Sequence, residues 1–236
     1  MSLLTMVQTI CLELGLTVPT VVTTSSDQQV RHIAALLNRE GKTLCDEADW
    51  PKLVKTQTIT TVSGTSDYAY PSDFLRMIDG TSWDRTNNWE MLGPDTVLID
   101  RYRRESTTGQ VGVRRFFSNT GDGIRIWPPV TVNGDILVYN YVSKNWAETS
   151  GGTDIDSMTA DTDVPLLDQE LLILGATARW LDVKGFDSTN AMARYLNRKE
   201  RRMAQELGGR IITMDGRGED PFLSIQNVPD SGYALG

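Results

Sequence analysis

The sequence predicts an α+β fold: a four-helix platform built from the two ends of the chain, an antiparallel β-domain inserted between them, and an extended C-terminal tail. Three observations carry this prediction. Apolar residues recur at helical spacing in the first fifty residues and again from Leu167 onward. Between these regions stand short segments rich in Thr, branched and aromatic residues, punctuated by Gly, Asn and Pro, the pattern of an antiparallel sheet. Beyond Arg210 neither period persists. The chain therefore divides into a discontinuous helical bundle (1–50 and 164–209), an inserted β-domain with its linker (51–163) and an extended C-terminal tail (210–236).

The first helix follows from Leu3, Val7, Ile10 and Leu14, widened by Leu4 and Cys11 and ended by Gly15. Ser26 and Gln29 read as a capping box for a second helix, whose apolar face is Val30, Ile33, Leu37, Leu44 and Ala48 and whose end is set by Trp50-Pro51. Strands are expected over Leu53–Val62, Tyr68–Tyr70, Gly112–Phe117, Gly123–Trp127 and Asp135–Val142, and Leu75–Ile78 is fed by a turn at Pro71–Phe74. The run from Ser118 to Gly123 reads as a hairpin loop, and Asn133-Gly134 is the strongest turn signal. Gly93–Arg104 is ambiguous and is compatible with one short helix after Pro94. Thr149–Asp163, with many Gly, Thr and Asp and no period, reads as a linker. Helices resume with Leu167, Leu171, Leu174, Ala178 and Leu181 on one face, closed by Gly185. Ser188 then caps a last helix lined by Met192, Tyr195, Leu196, Met203 and Leu207 and stopped by Gly208-Gly209.

The composition narrows the function. A chain of 236 residues, 39% hydrophobic and 23% charged, has the make-up of a globular protein rather than a disordered or collagen-like one. Its 23 basic and 31 acidic residues leave a formal charge of −8, the wrong sign for a protein that grips DNA by neutralising phosphates. The two cysteines, Cys11 and Cys45, have no metal-ligand spacing and read as small buried helix residues in a reducing compartment. The longest apolar stretch, near Leu171–Ala178, is far short of the ~20 residues a membrane span needs, and the N-terminus lacks a basic segment followed by an apolar one. This places the chain in the cytoplasm, with no membrane partner.

Enzymatic signatures are sparse. The single histidine, His32, lies in a charged amphipathic helix and would have to serve as base in any Ser/His/Asp or Cys/His arrangement. Gly121-Asp122-Gly123 has neither the spacing nor the strand-to-helix setting of a phosphate-binding loop. Asp154, Asp156, Asp161 and Asp163 suggest calcium ligands only weakly, because the glycine and terminal Glu of an EF-hand are absent. No catalysis, metal or cofactor is expected. Two basic stretches are better candidates, for a subunit or partner interface: Arg194, Arg198 and Arg201 with Lys199 and Arg202 on the last helix, and Arg101–Arg104 with Arg114-Arg115 in the β-domain, Arg103 and Arg104 foremost. In the tail, Phe222, Leu223, Ile225 and Val228 are apolar anchors for a partner groove.

Several segments resemble a known group when read in order: "EADWPKLVKTQTITTV", "YAYPSDFLRMIDG", "GIRIWPPV" followed by "ILVYNYV", and "YLNRKERRMAQELGG". The chain is similar, from about Leu3 to Gly209, to the head-to-tail adaptor proteins of tailed bacteriophages, including the tail tubular protein A type. The resemblance implies a structural virion protein without catalysis. Copies would form a ring, usually of twelve, below the portal protein, extending a channel through which double-stranded DNA passes without specific binding. A tail or nozzle protein would attach below, and the C-terminal tail would dock on the portal or a neighbouring copy. The neck of a virion assembled in the host cytoplasm is the implied location. Other classes remain open: a receptor- or carbohydrate-binding module using Trp83 and Trp89, or a cell-wall hydrolase using a carboxylate pair.

Overall fold

The computed structural model describes residues 1–105 and 114–207. The expected strand start at Gly112, the helix stop at Gly208-Gly209 and the whole tail, including Phe222, Leu223, Ile225 and Val228, lie outside the described residues. What is described is an α+β fold of helices and antiparallel sheets.

The chain opens with α1 (Leu3–Glu13) and α2 (Gln28–Glu47). Gly15, at φ +68°, carries the backbone out of α1 through the left-handed region. Asp27, not Ser26, caps α2: its Oδ1 accepts from the Gln29 amide at 2.8 Å. A carboxylate at the helix's positive end is the stronger acceptor of the two neighbours. The helix stops at Glu47, and Trp50 folds back so that its Nε1 donates to the Leu44 carbonyl at 2.7 Å.

The strands are β1 (Val54–Thr60), β2 (Asp67–Ala69), β3 (Phe74–Met77), β4 (Trp83–Asp84), β5 (Trp89–Glu90), β6 (Phe116–Asn119), β7 (Gly123–Trp127) and β8 (Ile136–Ser143), with α3 (Val97–Glu105) before β6. In the first sheet β8 is central, paired along its length with β1 and on its other side with β3 and β4. A strand buried on both faces needs no alternation, which is why "ILVYNYV" reads as a nearly continuous apolar run. The second sheet runs β2-β7-β6. Between the two sheets lies a core of Ile59, Phe117, Ile124, Ile126, Leu137, Tyr139 and Tyr141. The Asn133-Gly134 turn therefore joins strands of different sheets and closes no hairpin; instead Asn133 Oδ1 accepts from the Ser63 amide.

The expected linker is an ordered piece of the core. It contributes β10 (Asp154–Ile155), which joins the flanking β9 (Ala147–Glu148) and β11 (Val164–Pro165) in a third sheet, and it buries Met158 and Asp163. Two-residue strands leave no period to read. Its aspartates hold the loop: Asp161 accepts from the Val22 and Thr23 amides, and Asp163 from Thr159 and Ala160.

Helices α4 (Gln169–Val183) and α5 (Thr189–Glu206) complete the bundle. α4 packs against α1, α2 and α5. Its burial is accordingly almost all round, including Leu171, Leu172, Ile173, Ala176, Ala178 and Trp180, whereas the expected face residues Leu174 and Leu181 are only half-buried. In α5 only Tyr195 is fully buried, and Leu196 and Leu207, expected on the inner side, are exposed. Ser188 makes no side-chain cap; Asp187 Oδ1 accepts from the Thr189 amide instead. The main core joins Met6, Val7, Ile10, Ile33, Leu37 and Leu171 to Leu53, Val142 and Trp146, so the helices rest on one end of the first sheet.

Candidate functional site

The basic stripe of α5 is divided by the fold. Asp168 caps α4 through the Glu170 amide and also accepts from Arg198 at 2.9 Å and from Arg202. Burial would raise this carboxyl, but the Arg202 and Arg198 guanidiniums outweigh it and hold it below the usual carboxylate range. Lys199 reaches Glu47 at 3.1 Å and lies over the Tyr195 ring. Arg198, Lys199 and Arg202 thus tie α5 to the start of α4 and the end of α2. Arg194 and Arg201 are exposed and face outward.

The second basic stretch surrounds α3. Asp100 is buried at its centre and accepts from Ser118 Oγ at 2.8 Å and Trp127 Nε1 at 3.1 Å, with Arg104 and Arg125 at 3.1 and 3.5 Å. Burial opposes the charge of Asp100, yet these donors and cations lower its pKa. Arg103 pairs with Asp95 at 2.7 Å and stacks over Phe116 at 3.7 Å from the ring centroid. Arg115 is held between Asp84 and Asp135, while Arg114 is exposed. Asp100 and Arg103 are the α3 residues that face the protein. Val97, Leu98 and Tyr102, 83%, 76% and 66% exposed, stand in solvent beside the exposed Arg101–Glu105 pair.

Two further polar centres lie outside the sequence expectations. Glu40 of α2, fully buried, accepts from Arg179 of α4 and Tyr195 of α5. Burial and then the bond to Glu40 raise the Tyr195 phenol. Gly175 makes the room, since a Cβ there would lie 2.7 Å from the Glu40 carboxyl; Gly41 likewise lets the Trp146 ring lie against α2. Asp73 collects Lys55, Tyr141 Oη and Ser143 Oγ, at 2.8, 2.9 and 2.9 Å, and Lys55 also reaches Asp154 at 2.7 Å. A charged residue at a core position of an amphipathic helix, Glu40 among Ile33, Leu37 and Leu44, is the signal that marks the first centre in the sequence.

The residues considered for chemistry are dispersed. His32 borders a groove shared with Gln28, Arg31 and Lys184, a cationic setting without a nucleophile among its lining residues. Burial pushes the Cys45 thiol up to about 12 and raises Cys11 as well, so both are held as thiols. Among the described residues no group of three or more His, Cys, Asp or Glu could hold a metal. Trp83 pairs with Glu90 and Asp84 with Trp89 across the β4–β5 hairpin, which puts the two tryptophans on opposite faces. They do not make one sugar-stacking platform.

A family model described as SU10 adaptor protein matches residues 1–218 of the chain. Among curated proteins none matches.

Proposed function

The chain belongs to the SU10 adaptor protein family, structural adaptors of the phage neck, and from that premise we propose that it is a head-to-tail adaptor ring seated below the portal. Within phage adaptors we place it beside the tail tubular protein A type, on the order of its "DWPKL", "YPSDF" and "IRIWPP" segments. The observation that carries the reading is the family match across the whole helix–β–helix body. In this reading some twelve copies extend the DNA channel and present a platform to the next tail component. The acidic balance suits a conduit, because −8 per copy accumulates around a ring and a wall that repels phosphates lets DNA slide rather than stick. The exposed Arg194 and Arg201 serve contacts between protein subunits. Arg198, Arg202, Arg103 and Arg104, already paired within the chain, stiffen the elements that carry those contacts.

The tail supplies the portal contact. Phe222, Leu223, Ile225 and Val228 alternate with breakers too closely to form a core of their own, and burial of a few such anchors in a groove of the portal would hold the segment there. Negative-stain images of the protein with purified portal should show a ring coaxial with the portal. Deleting Pro221–Gly236 should abolish capture by immobilised portal rings, and undiminished capture would sink the tail's role.

A further inference from the structure

Strand β1 is an open edge. It closes one side of the first sheet and pairs along its whole length with β8, in unbroken register from Val54 opposite Val142 to Thr60 opposite Ile136. Ser143 donates to the Leu53 carbonyl and Thr61 to the Asp135 carbonyl, so the odd-numbered residues of β1 bond β8 and the even-numbered ones turn their N–H and C=O groups away from it. Thr56, Thr58 and Thr60 are exposed, and among the described residues none of their outward backbone groups has a partner. Such an edge is a template for a further strand, and proteins blunt it by shortness, bulges, proline, charge or a covering segment. β5 and β2 are two and three residues long, and β6 is covered by residues 92–95, which bond it through Leu92 and Asp95. β1 has seven residues without bulge or proline, and its one charge, Lys55, is neutralised by Asp73 and Asp154.

The chain brings a strand-forming segment to this edge. α5 ends where β1 begins, since Leu207 and Val54 line one groove. Beyond Leu207 stand Gly208-Gly209, which let the backbone turn, and then Arg210, Ile211, Ile212, Thr213 and Met214, a run rich in branched residues closed by Asp215-Gly216. Four residues reach about 13 Å, enough to lay Ile211 beside the first residues of β1. The family match extends to residue 218, which takes in this run and leaves Phe222 onward outside.

We propose that residues 210–214 add to the open edge of β1 in their own chain as a parallel strand, bonding the amides and carbonyls of Thr56, Thr58 and Thr60. The direction follows from the entry point, because the segment arrives at Val54 and runs toward Thr60. Side chains alternate along a strand, so one of Ile211 and Ile212 falls on the side of Ile59, against the core between the sheets. The short link makes the pairing intramolecular and favours the chain's own segment over a neighbour's. Five residues carry the chain about 16 Å along the edge, so Phe222, Leu223, Ile225 and Val228 are presented from the β-domain rather than from the end of α5. The assignment stands apart from the ring reading and from what those anchors bind.

Amide hydrogen exchange followed by NMR tests it. The amides of Thr56, Thr58 and Thr60 should exchange at least tenfold more slowly in the full-length chain than in a chain ending at Gly209. A full-length variant carrying both Ile211→Pro and Ile212→Pro should match the shortened chain, because alternate amides of a strand face its neighbour and this pair removes one of them. Lys55, Gln57 and Ile59, bonded to β8, should stay protected in all three. Free exchange of the threonine amides in the full-length chain overturns the assignment, as does protection that survives removal of the tail. Protection that falls on dilution overturns the choice of the chain's own segment and assigns the edge to another copy.

Discussion

At the scale of single residues, one buried carboxylate organises the bundle. Glu40 would be costly to bury unpaired, and it is tolerated because Arg179 and Tyr195 both donate to it while Gly175 leaves space for its head. Two measurable consequences follow from this crowding. Glu40→Ala leaves the phenol and guanidinium without their acceptor and should cost about 3–5 kcal/mol in denaturant unfolding. Gly175→Ala overpacks the same spot and should cost about 1–3 kcal/mol. In the double variant the cost of Gly175→Ala should largely vanish, since the atoms its methyl meets are gone. Strict additivity would show that the close approach of α2 and α4 is not set by this pair. Glu40 stands out in the sequence as an acid amid an apolar stripe, but its two partners, 139 and 155 residues away, could not be read from that position.

At the scale of elements, the joint between α4 and α5 is electrostatic. Asp168 caps one helix and accepts from two arginines of the next, and its folded-state pKa is depressed below an unfolded value of about 3.9. The stability it contributes is therefore present above about pH 4 and is lost as pH falls through the folded-state value. Asp168→Asn should cost about 2 kcal/mol at pH 7 and should flatten the acid limb of a plot of thermal midpoint against pH. An acid limb as steep as wild type would contradict the assignment. The stripe Arg194, Arg198, Arg201 and Arg202 is visible in the sequence as spacing. Which members stay free is a property of packing: the rotation of α5 turns Arg198 and Arg202 toward Asp168 and leaves Arg194 and Arg201 outside. The same holds for α3. Its spacing does not say which side packs inward; the bonds from Ser118 and Trp127 to Asp100 and the Arg103–Asp95 pair decide it.

At the scale of the whole molecule, the net charge predicts the outcome of a DNA-binding test. With −8 per copy and Arg76, Arg101, Arg103, Arg104, Arg115, Arg125, Arg179, Arg198 and Arg202 paired to carboxylates, the full chain should not retard double-stranded DNA in a gel shift at about 150 mM salt, where basic proteins bind non-specifically with Kd of roughly 10⁻⁴–10⁻⁶ M. A Kd tighter than about 10⁻⁵ M would contradict the reading of a non-adhesive conduit. The long elements α1, α2, α4, α5, β1, β7 and β8 were legible because each buries a face or stripe, and burial imposes a period on the residues that make it. The short strands β4, β5, β9, β10 and β11 were not, because two residues carry no period, and Thr149–Asp163 looked like a linker because its order comes from aspartates: Asp163 accepts from the nearby Thr159 and Ala160 amides and Asp161 from the distant Val22 and Thr23 amides. By itself the sequence determined the α+β class, the order of the long helices and strands, the acidic balance and the resemblance to phage adaptors. The tertiary structure decided which charges are paired inside the chain and which stand exposed, since ion pairing depends on distances between residues far apart in sequence, and local periodicity holds no record of those distances.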